Sequence, residues 1–456
     1  MDDALTHLVA FVRGVRFDNL DQASVRAVIR HNLDAVGCGA GGFDSRPVEM
    51  ARVAWEGSGG ALRASLYGQR ERATLSAAIG ANGAANRYLD FNDFGPSGHP
   101  SDMTPALLAV GEALGRSGKD VIVAIHIAYE IATVLAERAS EARARWDQGL
   151  FCSLGVAGAL ANLMRLTEAQ TANALSLAIV PNVPLRVTRT GELSDWKAMA
   201  TAYAVVQAAT ACRLAQLGMT GPGEPFDGPG GLFEMVTGPI DVSQVGTGEA
   251  AVRRTSLKRF AACYWSQTAI ECAMALRDQV KDLRAVAHIE VETFHAAWWT
   301  IGGGIGDARE KWDPVTRETA DHSMPYIVAS VLLDGHIGPD SFDPDKLRES
   351  ERRWLMQRTT VLEIKEFSNA VSAGQYPSRI RVKLTDGREF VESFPVPKGN
   401  YLMPMSDDDV SAKFDGLTSD VLEDDARDQF RDRLWELDRS EDVGDVTSYF
   451  RMFRRQ

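Results

Sequence analysis

Apolar positions recur at helical spacing along most of the chain between about residues 20 and 260. The stretch DQASVRAVIRHNLDAVGCGA starts with an aspartate and a serine, carries apolar residues on one helical face and ends in glycines, as a capped amphipathic helix does. The same pattern recurs in GKDVIVAIHIAYEIATVLAERAS, TEAQTANALSLAIV and WKAMATAYAVVQAATACRLAQLGMTG. Several of these stretches are rich in Ala and Gly and apolar almost all round, which predicts burial on more than one side of a large helical core.

The pattern changes to strict alternation beyond residue 263. HIEVETF, VLEIKEF and SRIRVKLTDGREFVESF read as strands, and Asp386-Gly387 in the last of them predicts a hairpin turn. Helical patterns lie between them in ADHSMPYIVASVLLDG and DPDKLRESERRWLMQ. The predicted fold class is therefore mostly α. A helical domain (1–262) is followed by a smaller α+β domain (263–397), and a helical tail (398–456) rejoins the first.

Charge and cysteine content exclude several classes of protein. The 456 residues include 49 basic and 62 acidic ones, a net charge of -13, which argues against a nucleic-acid partner. The five cysteines are scattered without a C-x-x-C pair, as expected in a reducing compartment. The start, MDDALTHLVAFVRGVRFDNL, has neither a basic segment nor a long apolar run. We therefore predict a cytoplasmic protein without a signal peptide or membrane span.

Motifs for nucleotides and metals are missing from the sequence. TIGGGIGDA fails the dinucleotide-binding fingerprint because Asp307 stands where the third glycine is required. The eight histidines form no H-E-x-x-H motif and none is paired with cysteines at zinc-site spacing. The sequence thus predicts neither a cofactor nor a metal.

A loop rich in proton-transferring groups, YLDFNDFGPSGHPSD, lies between two predicted helices. A histidine or tyrosine can act as acid or base beside a carboxylate-bearing substrate, while cations bind its carboxylates and stabilise an enolate-like state. Taken singly, the candidate residues also have purely structural interpretations. His99 can be a loop residue whose hydrogen bonds are all made within the protein, Arg259 can form a surface ion pair, and His322 can hydrogen-bond to the backbone. The candidates in later stretches are Arg186, Arg189, Asp195, Lys197, Lys258, Arg259, Cys263, Asp321, His322, Tyr326 and Lys398.

Five stretches occur in order along the chain: YLDFNDFGPSGHPSDMTPALLAVGEA, LSDWKAMATAYAVVQAATACRLAQLGMTGP, SLKRFAAC, TRETADHSMPYIVASVLLDG and LMPMSDDDVSAKF. Together they resemble the MmgE/PrpD family, which contains 2-methylcitrate dehydratase, cis-aconitate decarboxylase and iminodisuccinate epimerase. The resemblance covers nearly the whole chain. It implies a helical domain completed by the tail, an α+β lid, an active site in the cleft between them, a homodimer, and no metal or organic cofactor.

The resemblance also assigns roles to residues by position. It makes His99 the leading acid–base group and places Asp90, Lys197 and Tyr326 beside it as catalytic residues. The expected substrate-binding residues are Lys258, Arg259, Asp102, His322, Trp146, Asp147 and Phe94. The substrate implied is a small anionic carboxylate.

Three positions depart from the family pattern. Phe94 stands where a threonine is usual, Trp146 and Asp147 stand where a second histidine is expected, and Cys263 replaces a further histidine. The resemblance favours a hydro-lyase resembling 2-methylcitrate dehydratase. The alternatives are, in order, an epimerase or isomerase of a dicarboxylate, a cis-aconitate-type decarboxylase and a non-catalytic carboxylate binder.

Overall fold

Polar caps define where the helices of the first 262 residues begin. In the computed structural model, which describes residues 1–57, 60–139 and 145–454, the side chain of Asp21 accepts from the backbone N–H of Ser24. Ser117 and Asp120 form a reciprocal capping box. Such contacts satisfy amides that a helix start leaves without intrahelical partners. The main helices of this part are Asp3–Gly14, Gln22–Gly42, Arg46–Trp55, Leu75–Tyr88, Thr104–Ala113, Gly118–Arg138, Gly149–Leu163, Glu168–Ile179 and Trp196–Gln216.

Two short strands, β1 (Arg63–Ala64) and β2 (Ala73–Thr74), pair antiparallel within the helical part. The later strands are β3 (Val286–Thr293), β4 (Thr359–Glu363), β5 (Ser378–Leu384) and β6 (Glu389–Phe394), in the order β4-β3-β5-β6 within the described residues. β3 runs parallel to β4 and antiparallel to β5, and β5 pairs with β6. Gly387 adopts a φ of +90° in the β5–β6 turn, a conformation that favours glycine.

Short helices surround this second sheet. They are Gln267–Gln279, His295–Ile301, Ala308–Trp312, Arg317–Ala320, Met324–Asp334, Pro344–Leu347, Ser350–Met356 and Lys365–Ala370. The stretch VLEIKEF, predicted as a strand, is one only as far as Glu363, because the helix Lys365–Ala370 takes over its second half. Alternation over so few residues does not distinguish a strand from the start of a helix.

Two large hydrophobic cores organise the described residues, and a small third cluster contains Cys38, Leu89, Phe91 and Ala261. One contains buried side chains from residues 4–257 together with Phe414 and Phe430 of the tail, and the other contains buried side chains from residues 260–384. The tail thus packs with the first helices, and the α+β unit has its own core. This arrangement confirms the predicted mostly α fold with a smaller α+β unit. The boundaries at residues 262 and 397 stay a prediction, which the two cores support.

The tail also reaches the loops at the junction of the two units. Its helices are Asp407–Thr418, Asp424–Trp435 and Gly444–Thr447. The Lys413 ammonium contacts the carboxylate of Asp34 at 2.6 Å and donates to the carbonyls of Phe91 and Lys258 at 2.7 and 3.0 Å. One tail residue therefore ties together the two segments that carry Asp90 and Lys258. Within the described residues, no helix is long and apolar enough to cross a membrane.

Candidate active site

The acidic loop is shaped by two unusual backbone positions. Asp90, two residues after the helix Leu75–Tyr88, has a φ of +50°, a conformation that aspartate tolerates better than most residues. Gly98 has a φ of +90°, and a Cβ built there would lie 2.1 Å from the Gln148 side chain. A larger residue at Gly98 would displace the loop just before His99.

Asp90 is the centre of a buried ion cluster. Its carboxylate accepts from Arg87 and lies 3.0 Å from the Lys258 Nζ, which also donates to the Asp90 carbonyl over 2.6 Å. All three side chains are almost fully buried. Although burial raises the pKa of Asp90, the charges of Arg87 and Lys258 lower it well below its usual value. Asp90 is therefore an anion that organises the cations around it.

His99 lies beside this cluster with a defined tautomer. Its Nδ1 is 2.6 Å from the Asp93 carbonyl oxygen, and its Nε2 is 3.8 Å from the Asp90 carboxylate. Since a carbonyl oxygen only accepts, the proton is on Nδ1 and Nε2 carries the lone pair. Burial, with the charges of Arg87 and Lys258, holds the pKa of His99 well below its usual value. His99 is therefore a neutral imidazole at neutral pH, with an unprotonated Nε2.

A second imidazole comes from the α+β unit. Lys197 Nζ contacts both carboxylate oxygens of Asp321 at 2.6 and 2.7 Å, and Asp321 accepts from His322 Nδ1 at 2.5 Å. Burial and the Lys197 charge lower the pKa of His322 to about 4. His322 therefore also presents an unprotonated Nε2. The Lys197–Asp321 contact joins the helical part to the α+β unit at the site.

Asp90, Asp321 and His322 bring potential metal ligands within 4.8 Å of one another. Their charges are already matched within the protein, because Lys258 contacts Asp90 and Lys197 contacts Asp321. The arrangement is that of a buried ion-pair network. The sequence-based expectation that no metal is needed stays a prediction.

A cleft opens beside these groups. It lies where the loop after Leu75–Tyr88, the segment around residue 147 and the start of the α+β unit meet. Its lining residues are Arg87, Asp90, Phe94, Ser97, Gly98, His99, Trp146, Asp147, Gln148, Phe151, Arg186, Arg189, Cys263, Tyr264, Trp265, Thr300 and His322.

Arginines and a tryptophan N–H make one part of the cleft attractive to anions. Arg189 is held by Asp147 at 2.8 Å and donates to the Lys197 carbonyl at 2.8 Å. Arg186 also lines the cleft, and its guanidinium donates no hydrogen bond to the described residues. The Trp146 Nε1–H is buried and likewise has no partner among them. A buried donor without a partner is costly, so a carboxylate bound here would satisfy it.

The structure divides the predicted site residues into three groups. Those that line the cleft are Asp90, Phe94, His99, Trp146, Asp147 and His322. Lys197 and Lys258 lie one layer behind, each bound to a carboxylate of the ion network. Asp102 is also behind the cleft surface, where it accepts from the Gln148 side chain at 2.7 Å.

Tyr326 and Arg259 are placed away from the cleft. The Tyr326 hydroxyl donates to the Ser341 carbonyl at 2.7 Å, inside the core of the α+β unit. The Arg259 side chain is 44% exposed and faces Glu271 at 3.6 Å. Both side chains are directed to these other partners, and neither lines the cleft.

Several cleft residues had no assigned role from sequence. Arg87 ends an alanine-rich helix, where an arginine is usually a solvated last-turn residue. Arg186 and Arg189 are among the candidate cations of the sequence, but the family resemblance assigns them no individual role. Cys263, at the position of an expected histidine, has its pKa raised to about 12 by burial and stays a thiol. For Arg87, the sequence offered one signal of a role in the site, namely its position just before the acidic loop.

Comparison with known proteins agrees with this architecture. The model of the MmgE/PrpD N-terminal domain matches residues 6–244, and that of the C-terminal domain matches residues 260–437. The chain belongs to the MmgE/PrpD family. This confirms the resemblance seen in the sequence.

The chain is similar to lyases of two kinds. The 2-methylcitrate dehydratase of Escherichia coli K12 is 29% identical over 343 residues, 68% of each chain. The cis-aconitate decarboxylase of Homo sapiens is 24% identical over 429 residues, 90% of this chain and 87% of the relative. A probable 2-methylcitrate dehydratase of Saccharomyces cerevisiae is 26% identical over 349 residues, 69% of this chain and 65% of the relative.

Proposed function

We propose that this chain is a cofactor-independent hydro-lyase acting on a small di- or tricarboxylic acid. The observation that carries the proposal is the pair of neutral imidazoles, His99 and His322, which both lie close to the Asp90 carboxylate in an arginine-lined cleft. Acid–base chemistry next to a carboxylate requires such groups. The dehydratases and decarboxylases among its relatives support the same class of chemistry.

In the proposed reaction, His99 Nε2 removes the proton α to a substrate carboxylate. The negative charge then spreads onto the carboxylate oxygens, and Arg186 and Arg189 stabilise this enolate-like state. The fixed Nδ1–H bond to Asp93 stabilises the resulting imidazolium and keeps the ring in place. The arginines thus bind the substrate and also lower the barrier.

The departing hydroxyl needs a proton, and His322 is placed to give it. A substrate with two or three negative charges raises the pKa of His322 when it binds, because it offsets the positive charge of Lys197. The C–O bond breaks with its electron pair on oxygen, the His322 proton converts the hydroxyl to water, and the α-carbon electrons form the double bond. Both imidazoles then exchange protons with solvent.

Epimerisation of a dicarboxylate is the second candidate, and the same two imidazoles favour it. If His99 takes the α-proton and His322 returns one from the other face, the configuration inverts without elimination. The two reactions differ only in whether a leaving group sits next to the carbanionic centre. The substrate therefore decides between them.

The test is NMR in D₂O with purified protein and a panel of acids: 2-methylcitrate, citrate, cis-aconitate, iminodisuccinate and related hydroxy acids. The matched control is His99→Asn, whose side-chain amide can still donate to the Asp93 carbonyl but has no basic atom. Alkene signals from a hydroxy acid, or water addition to an alkene, would support the hydro-lyase if His99→Asn lacks them. We expect His99→Asn to lose about 10²–10⁴-fold in rate.

Other outcomes would redirect the assignment. Deuterium entering an α-carbon without elimination would establish the epimerase, and release of CO₂ would establish a decarboxylase. Saturable binding of an acid with no chemical change would favour a non-catalytic binder. Equal turnover by wild type and His99→Asn would contradict the role of His99.

We also propose a cytoplasmic homodimer. Exposed apolar side chains near the cleft support an interface: Leu185 and Val187, on the segment that carries Arg186, are 59% and 71% exposed. Light scattering should give a particle of twice the 49.7 kDa chain mass. A monomer would contradict the proposal. Cofactor independence predicts full activity after dialysis against a chelator.

A further inference from the structure

Three aromatic rings form one continuous wall of the cleft. Phe94 stacks on Tyr264 with centroids 4.3 Å apart and an interplanar angle of 9°, and it meets Trp265 edge-on at 4.7 Å. All three residues line the cleft. Phe94, Tyr264 and Trp265 are called the aromatic wall below. It stands next to the proposed base, because the Phe94 and His99 rings are 5.8 Å apart.

Hydrogen bonds hold the aromatic wall in position. The Tyr264 hydroxyl donates to Ser256 Oγ at 3.1 Å and accepts from Asn400 at 2.9 Å. Phe94 and Ser256 exchange two backbone hydrogen bonds of 2.8 Å each. The Tyr264 hydroxyl is thereby engaged with Ser256 and Asn400.

Trp265 is supported from behind by two more rings. Phe294 lies 5.5 Å and Tyr376 5.4 Å from it. Ring pairs at these separations stabilise one another. The aromatic wall is therefore a built surface, assembled from the acidic loop and the start of the α+β unit and braced by the tail residue Asn400.

A polar substrate group placed on the faces of these rings would lose its water and gain no partner, which is unfavourable. An apolar group would gain by leaving water. The carboxylates have their own partners in the same cleft, namely Arg186, Arg189 and the unpartnered Trp146 Nε1–H. The cleft thus has a cationic part for carboxylates and an aromatic part for something apolar.

We infer that the substrate carries, besides its carboxylates, an apolar substituent larger than a methyl group, a branched alkyl or an aryl group, that packs on the aromatic wall. The inference rests on the proposed function, since it describes the rest of an acid that His99 acts on. Phe94 and Trp265, which are partly exposed, offer more ring surface than one methyl group covers, and the buried Tyr264 supports Phe94 from behind. Phe94, in place of a small polar residue, completes this surface.

Calorimetric titration with unreactive succinates of graded size tests the inference. The series is succinate, methylsuccinate, propylsuccinate, butylsuccinate and phenylsuccinate. The dissociation constant should fall about fourfold for each CH₂ that becomes buried. The heat-capacity change of binding should become more negative along the series, as expected for apolar burial.

Variants test whether the aromatic wall causes this gradient, that is, the fall in the dissociation constant along the succinate series. Phe94→Leu keeps an apolar surface and should keep the gradient, whereas Phe94→Thr should flatten it while succinate itself still binds. Phe390→Thr on β6 makes the same chemical change within the α+β unit, away from the cleft, and should leave the gradient intact. If Phe94→Thr does not fold, Trp265→Gln tests the same wall in the same series.

The outcomes separate this inference from the proposed function. If the acid panel is turned over but affinity is flat or falls with substituent size, the inference is wrong and the proposed function stands. An undiminished gradient in a folded Phe94→Thr or Trp265→Gln would also overturn it. If no diacid of the series binds and no acid of the panel reacts, the proposed function fails and the inference fails with it.

Discussion

The Nδ1–H of His99 donates to the backbone carbonyl of Asp93 over 2.6 Å, and this bond sets which nitrogen faces the chemistry. The Asp93 side chain is anchored in turn: its carboxylate accepts from Tyr129 at 2.7 Å, from the Ser101 hydroxyl at 2.6 Å and from the Ser101 amide at 3.0 Å. Asp93 is fully buried behind the cleft surface. It is a positioning residue for the proposed base.

Replacing Asp93 should therefore impair turnover more than binding. In Asp93→Asn, one side-chain oxygen becomes an NH₂ that cannot accept from Tyr129 or Ser101, so the loop and His99 shift. Small misplacements of a catalytic group cost up to about a hundredfold, and we expect kcat to fall by roughly ten- to a hundredfold. The Kd of a bound acid should change by less than about threefold. Steady-state kinetics and calorimetry measure the two effects.

Tyr129→Phe removes one of the donors to the Asp93 carboxylate. It should also lower kcat more than it changes Kd, but by a smaller factor than Asp93→Asn. The exposed Asp278→Asn provides the control for the change from carboxylate to amide. An unchanged kcat in a folded Asp93→Asn variant would show that this carboxylate does not position His99.

Arg186 should contribute mainly to substrate affinity. Its guanidinium faces the cleft and donates no hydrogen bond to the described residues, so a substrate carboxylate is the natural partner. Hydrogen bonds to charged groups contribute about 1.5–3 kcal/mol. In Arg186→Gln, KM should therefore rise by about ten- to a hundredfold, with a smaller effect on kcat. Arg145→Gln removes an equal charge from an exposed neighbour and should leave KM within about twofold. Equal KM values for the two variants would contradict the assignment.

Local sequence carried enough information to predict part of the site. Asp90 and His99 lie nine positions apart in one loop between two strongly patterned helices, so any compact loop brings them together. Asp321 and His322 are adjacent, and the helix that follows them was readable from its apolar pattern. The hairpin at Gly387 was likewise predictable because its turn requires a positive φ.

The remaining geometry depends on long-range packing that no local pattern encodes. Lys197 pairs with Asp321, 124 residues further along the chain. Tyr326 was expected in the cleft, but the Ser323 cap fixes the start of its helix and directs the ring to Ser341. Which face of a buried helix meets the cleft depends on tertiary packing, because such a helix is apolar all round.

Substitutions of Lys197 and Asp321 should have strongly non-additive effects on the free energy of unfolding. Both side chains are at most 2% exposed, so Lys197→Met leaves an uncompensated buried carboxylate and should lower the free energy of unfolding by about 3–5 kcal/mol. The double variant Lys197→Met/Asp321→Asn removes both charges and keeps an acceptor for His322, so it should regain most of that loss. Urea unfolding of the four proteins in the cycle gives the coupling energy.

An exposed pair provides the comparison for this cycle. Arg13 and Glu168 are 2.7 Å apart, but their side chains are 47% and 61% exposed. Arg13→Met should cost less than about 1 kcal/mol. Additive effects of the Lys197 and Asp321 substitutions would show that solvent already screens the inner pair.

Asp102 should give stability an unusual dependence on pH. Burial raises its pKa to about 6, so the fold favours the protonated acid. That contribution is fully present below the unfolded pKa of about 3.9 and is lost as pH rises through the folded pKa of about 6. Two pKa units correspond to roughly 3 kcal/mol. Relative to wild type, Asp102→Asn should therefore gain about this much stability between pH 4 and 7.

Denaturant unfolding of both proteins from pH 4 to 8 measures this gain. Asp409, a partly exposed aspartate, should show the opposite dependence on pH. Hydrogen bonds from Lys398 and Ser406 lower the pKa of Asp409 to about 2. Its stabilising contribution is present above the unfolded pKa and is lost as pH falls, so the deficit of Asp409→Asn should shrink below about pH 4. Parallel stability curves for wild type and Asp102→Asn would mean that Asp102 ionises inside the protein as readily as in water. In that case water must reach the carboxylate despite its contacts with Gln148 and Asn92.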